Sequence, residues 1–212
     1  MKIVWGMVAA LGGVLWLSGC ASMSQEQCLV GDWGGKGYQD GLNGQRESRL
    51  EDHAKACAKV GVTPNVPAYF SAREEGLRTY CTWENGFRAG RSGSTYYGVC
   101  TPAQEREFLP AYQDGRIIHE AESALSNAES ALRYAEARIR DRADKLDAKE
   151  RELRQEGLSR EERDRIRDRI REVREELGDA RRDARRAEDE LRIVERETRS
   201  VIRAVGGRYG IW

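Results

Sequence analysis

No Cys-x-x-Cys pair occurs in the 212 residues, and the only histidine near the cysteines is His53. The usual zinc and dithiol layouts are therefore missing, and neither a metal nor a cofactor is expected. A Gly-x-Ser-x-Gly elbow and a His-Glu-x-x-His pair are absent too, and "GGKGY" has neither the Ser or Thr nor the spacing of a phosphate loop. Net charge is lacking, with 36 basic residues against 36 acidic ones. That balance excludes the clustered basic stripe that binds nucleic acid. The one strongly apolar run, from Ile3 to Leu17, is fifteen residues long, short of the roughly 20 a helix needs to cross a bilayer. What remains for catalysis is carboxylate chemistry at Asp32, Asp40, Glu74, Glu75 or Glu84, in principle a pair cutting wall glycan, with His53 as an alternative base. Acidic residues beside short helices are usually caps and solvated faces, so no enzyme is expected.

The short apolar run comes after Lys2 and closes on small residues, a secretory signal layout over 1–19. Its last residues and the adjoining cysteine, Leu17-Ser18-Gly19-Cys20, resemble the bacterial lipobox. The resemblance implies an acylated Cys20 as first residue of a lipid-anchored segment, 20–27, and several acyl chains together hold firmly. Position 21 is Ala rather than Asp, which by resemblance to the sorting pattern implies the periplasmic side of the outer membrane.

With Cys20 set aside, Cys28, Cys57, Cys81 and Cys100 remain. An even number in an oxidising compartment reads as two disulfides. Three pairings are open. The shorter loops, Cys28 with Cys57 and Cys81 with Cys100, cost least to close.

Composition changes near residue 116. Twelve glycines lie between Cys28 and Cys100, whereas Arg116 to Val205 holds two, with no cysteine or proline and with 24 basic and 24 acidic residues. Apolar or small residues recur there in alternating steps of four and three, from Ile166 to Val205 and, before that, from Ile118 to Leu153, with Arg142 and Lys149 as polar intrusions. Such steps are a coiled-coil seam. Between the seams, Gly157 suits a helix end, and Ser159 with Glu162 forms a capping box. A turn at 157–159 makes 116–205 an antiparallel hairpin. If facing residue numbers sum to 319, seam meets seam throughout: Leu146 with Val173, Leu125 with Val194, Ile118 with Val201. A homodimer through the outer faces is compatible with the same pattern.

The 28–115 segment repeats a small residue, an aromatic, and a second small residue four positions after the first: "GYQDG", "AYFSA", "GFRAG" and "AYQDG". Small residues at that interval share a helix face and let another backbone approach. The aromatics Tyr38, Tyr69, Phe87 and Tyr112 either pack short helices together or line a ligand groove. Ser48 with Glu51, and Thr101 with Pro102 and Gln104, are helix starts. The tail 206–212, "GGRYGIW", either folds back on the domain or plugs into a partner. The expected fold is all-α, a small disulfide-stapled helical domain followed by a long antiparallel coiled-coil hairpin.

Together the lipobox, "CLVGDWGGKGYQDG", "HAKAC", "EEGLRTYC", "NGFRAGRSGSTYYGVC" and "FLPAYQDGR" resemble a family of small bacterial lipoproteins, domain of unknown function 2799, over residues 20 to about 120. The resemblance implies a compartment and a domain but no activity. The expected function is a noncatalytic envelope scaffold, attached to the membrane by lipid and binding an envelope protein or peptidoglycan. The alternative is a ligand- or peptidoglycan-binding module in 28–115.

Overall fold

The computed structural model describes residues 22–210, so Cys20 and its acylation, the signal segment, Ile211 and Trp212 lie outside the described residues. Among the described residues the fold is all-α. The helices are α1 (Gln25–Val30), α2 (Trp33–Leu42), α3 (Arg49–Ala58), α4 (Val66–Tyr80), α5 (Trp83–Arg91), α6 (Pro102–Leu153) and α7 (Arg160–Gly206), then a 3-10 turn at Gly207–Tyr209. No helix among them is long and apolar enough to cross a membrane.

The chain forms two compact units. One comprises the described residues up to Tyr80 with Tyr97–Val99; the other comprises Cys81–Tyr96 and the chain from Cys100 onward. The compositional break at 115/116 is thus not where compactness divides. α6 starts at Pro102 inside the glycine-rich segment and runs unbroken into the hairpin. The disulfides join Cys28 to Cys57 in the first unit and Cys81 to Cys100 in the second, the shorter-loop pairing.

In the first unit α2 and α4 run parallel in backbone contact. A Cβ on Gly37 would run into the Tyr69 carbonyl, one on Gly41 into the Arg73 carbonyl, and one on Gly76 into the Tyr38 carbonyl. In the second unit the same device joins α5 to α6: Gly86 lies against Phe108, Gly90 against Tyr112 and Gly115 against Phe87. The four small-aromatic repeats therefore build two equivalent parallel helix pairs. Their register differs from the one the letters suggest. "AYFSA" and "AYQDG" align Tyr69 with Tyr112, whereas the contacts align Tyr69 with Phe108 and Gly76, not Ala72, with Gly115. The look-alike segments sit about one helical turn apart in their interfaces.

Helix starts obey local chemistry with one exception. Thr101 caps α6 in a capping box with Gln104, with Pro102 in the first turn, and Ser159 caps α7 with Glu162. Ser48 makes no side-chain cap, because its own backbone is already helical (φ −61°, ψ −8°) and a preceding turn feeds straight into α3. A capping hydroxyl needs extended backbone at its own residue.

The hairpin keeps the expected register. Thr198 Oγ1 donates to the Ala121 carbonyl at 3.1 Å, a pair summing to 319, and Ile118 packs with Val201 and Val205. α6 ends at Leu153, where the Arg154 and Gln155 amides bond three residues back, and Gly157 takes φ +83° in the loop. Of the polar intrusions, Arg142 sends Nε to the Glu176 carboxylate at 3.0 Å and Lys149 pairs with Glu152. The outer faces carry arginine–acid pairs three and four residues apart, each screened by solvent and adding little on its own.

Candidate functional site

Two polar or aromatic assemblies stand out, one in each unit. In the first, Gly37, Asp40 and Gly41 share the buried face of α2. The glycines admit α4, and Asp40 is left in the interior with two neighbours that answer its charge. His53 of α3, fully buried, places Nε2 2.7 Å from Asp40 Oδ2, and the Tyr69 hydroxyl of α4 donates to the same oxygen at 2.7 Å. Lys36 Nζ lies 3.6 Å from Oδ1. His53 Nδ1 lies 2.8 Å from the hydroxyl of Ser22.

Burial raises the Asp40 pKa, but the hydrogen bonds from His53 and Tyr69 and the charge of Lys36 outweigh it, leaving the carboxyl below its ordinary value. Burial, then the hydrogen bond to Asp40, holds the Tyr69 phenol well above its own. A serine hydroxyl, an imidazole and a carboxylate in line form the connectivity of a nucleophilic triad. Here the imidazole is sealed from solvent, and the carboxylate oxygen it meets is shared with the Tyr69 hydroxyl while the other lies beside Lys36. The arrangement joins α2, α3 and α4 and fastens the start of the described chain to them.

In the second unit Trp83 and Phe87 of α5 meet Tyr209, which the 3-10 turn brings back along the hairpin. Ring centroids are 4.4 Å apart for Phe87 and Tyr209 and 5.6 Å for Trp83 and Tyr209. The Tyr209 hydroxyl donates to Asp114 Oδ2 at 2.7 Å, while Arg208 donates to Oδ1 at 3.0 Å. Of the two fates open to the tail, its described part takes the fold-back. These rings, with Glu84, Arg88, Arg91, Ser92 and Glu122, line an open cleft of about 530 Å³, and Trp83 is 40% exposed.

Burial, then the Asp114 bond, pushes the Tyr209 phenol from 10.0 up to about 12. A phenol whose proton is held more tightly in the folded state stabilises fully below pH 10 and loses that contribution as pH rises toward 12. Tyr209→Phe should therefore cost about 1 kcal/mol at pH 8, and the gap between the two urea midpoints should narrow at pH 11. An equal gap at both would show that folding does not raise the Tyr209 phenol.

The four aromatics, read as either packing short helices together or lining a ligand groove, are divided between the units. Tyr38 and Tyr69 belong to the first unit, Phe87 and Tyr112 to the second. Tyr69 is fully buried and lines no open groove. Tyr112 stacks on Phe108 and donates to the Ser94 carbonyl. Phe87 lines a cleft in company with Trp83 and Tyr209. Among the candidate carboxylates, Asp32 caps α2 by accepting from the Gly35 amide at 2.7 Å, Glu74 and Glu75 are exposed on α4, and Glu84 lies in the Trp83 cleft. Sequence reasoning named Asp40, His53 and Tyr69 separately and missed their union; an acid on the same face as Gly37 and Gly41 was the available signal.

Residues 32–117, less than half of the chain, match the family model described as Protein of unknown function (DUF2799). The match contains both glycine-packed contacts and stops one residue before Ile118, where the hairpin seam begins. No curated protein and no solved structure matches the chain.

Proposed function

We propose that this chain is a noncatalytic lipoprotein of the bacterial envelope, lipid-anchored through Cys20 on the periplasmic side of the outer membrane, whose hairpin is a scaffold for an envelope protein or for peptidoglycan. The observation that carries the reading is the continuity of α6. One helix supplies Phe108, Tyr112 and Gly115 to the disulfide-stapled pair and then the first arm of the hairpin, with no flexible joint between. From Ile118 to Leu153 that arm extends about 50 Å at 1.5 Å per residue. Such an element presents a surface at a fixed distance from its base.

The test is photocrosslinking in living cells from Arg151 and Arg163, beside the hairpin turn, with adducts identified by mass spectrometry. One dominant protein adduct or a glycan adduct supports a scaffold and says which kind. Capture of only the chain itself rejects it in favour of a spacer or dimerisation arm. A shortened hairpin, with Leu125 joined to Val194 by a glycine turn, keeps the Thr198–Ala121 bond and the Ile118 cluster. It is expected to remain folded and to lose the adduct partner.

A second reading is favoured by the Trp83 cleft, where an exposed indole beside Arg88, Glu84 and the Arg91–Glu122 ion pair suits a planar ligand with polar groups, such as a wall fragment. Saturable binding of muropeptides that is lost in Trp83→Ala but kept in the shortened hairpin would assign function to the domain instead.

A further inference from the structure

The start of the described chain is fixed in the core of the first unit. Ser22 bonds His53, and Met23, 4% exposed, packs with Cys28, Trp33, Leu50, Cys57 and Tyr69, its sulfur 4.0 Å from Cys57 Sγ. Cys20 is two residues upstream, and two residues span at most about 7 Å. The polar layer on each side of a bilayer is itself about 6 Å thick, from a total of 40–45 Å around a 30 Å hydrocarbon core. An acylated Cys20 has its chains in that core, so a tether of this length, even fully extended, carries Ser22 no further than about the outer edge of the headgroups.

The surface beside Ser22 fits that position. Ser24 caps α1, and about 8 Å further along the helix axis come Leu29 and Val30, 68% and 77% exposed. Val30 and Met23 share one cleft, whose other walls include Glu26, Asp32 and Lys36. Two apolar side chains beside two carboxylates and a lysine suit the polar layer of a bilayer, where removing each from water is favourable.

We infer that the first unit lies directly on the bilayer, with Leu29 and Val30 of α1 seated in the lipid surface rather than held away on a linker. The inference rests on the proposed acylation of Cys20, and the test separates the two. The full-length protein is extracted from membranes and the mass of its Cys20 peptide is measured. It is then reconstituted into phosphatidylethanolamine–phosphatidylglycerol vesicles with brominated acyl chains, as wild type, Leu29→Trp, Val30→Trp and Arg163→Trp. The emission added over wild type by Trp at 29 or 30 should be quenched by about half or more, and that added at 163 should not. An unacylated Cys20 overturns both the tether and the seating. An acylated Cys20 with positions 29 and 30 no more quenched than 163 overturns the seating alone. Shielding of position 29 that grows with protein density instead of bromolipid also overturns it, and assigns the pair to a contact between copies.

Discussion

Gly41→Ala is expected to destabilise the first unit by about 3 kcal/mol or more, although alanine is the better helix former by about 1 kcal/mol. Gly41 lies inside α2 with ordinary helical backbone, so propensity alone predicts a gain. Its missing side chain is the space into which the Arg73 carbonyl and the Leu77 amide of α4 fit. Neither obstacle is the far end of a flexible side chain. Room for a methyl group comes only from separating the helices, which would also pull Tyr69 from Asp40. Gly34→Ala is the control in the same helix. A Cβ there meets nothing nearer than Asp32 Oδ1 at 3.9 Å, so the change should be neutral or slightly stabilising. Urea unfolding with disulfides intact reads both. If Gly41→Ala is as harmless as Gly34→Ala, the helices do not meet backbone to backbone.

Removing the Cys28–Cys57 disulfide, as Cys28→Ala with Cys57→Ala, should cost about 3.5 kcal/mol on loop entropy alone for its separation of 29 residues. The actual loss should be larger, because Cys57 is buried among Met23, Trp33 and Tyr69 and each truncation leaves a void. A unit of this size has little core to spare. Hydrogen exchange should therefore show the amides of α1 and α3 unprotected in the variant. The His53–Ser22 bond spans the same elements and should be lost with them. Native-like protection of α3 would mean that the polar network, not the disulfide, holds that helix.

The hairpin was legible because a seam with a period of seven residues constrains both partners at once. Once Leu146 must face Val173, Ile118 must face Val201, and Thr198 falls beside Ala121. The glycine-packed pairs were legible only by half. Each glycine announced a close approach, but what approaches is a carbonyl oxygen, which every residue carries and no letter marks. "PAY" ending at Tyr69 and again at Tyr112 therefore suggested a register one turn away from the one the backbones adopt. The unit boundary was hidden for a related reason. Cysteine and glycine content distinguishes 28–115 from the hairpin, yet Phe108 and Gly115 belong to a helix that continues past both. Asp40, His53 and Tyr69 come from three helices, and only their packing reveals that one carboxylate serves both the imidazole and the phenol.

The Cys81–Cys100 bond lies immediately before two helices at once, with Thr82 and Thr101 capping α5 and α6 on its two sides. In mechanical terms, two parallel rods are pinned together at the same end. Traction along the hairpin, applied at the turn beyond Leu153, reaches that pin as axial tension in α6. It cannot make α6 slip past α5, because slippage by a turn would need the pinned ends to part. The failure left to such a pull is peeling of α7 from α6, starting at the turn and moving toward Thr198. The glycine contacts at the base would keep their register until the covalent pin is reduced.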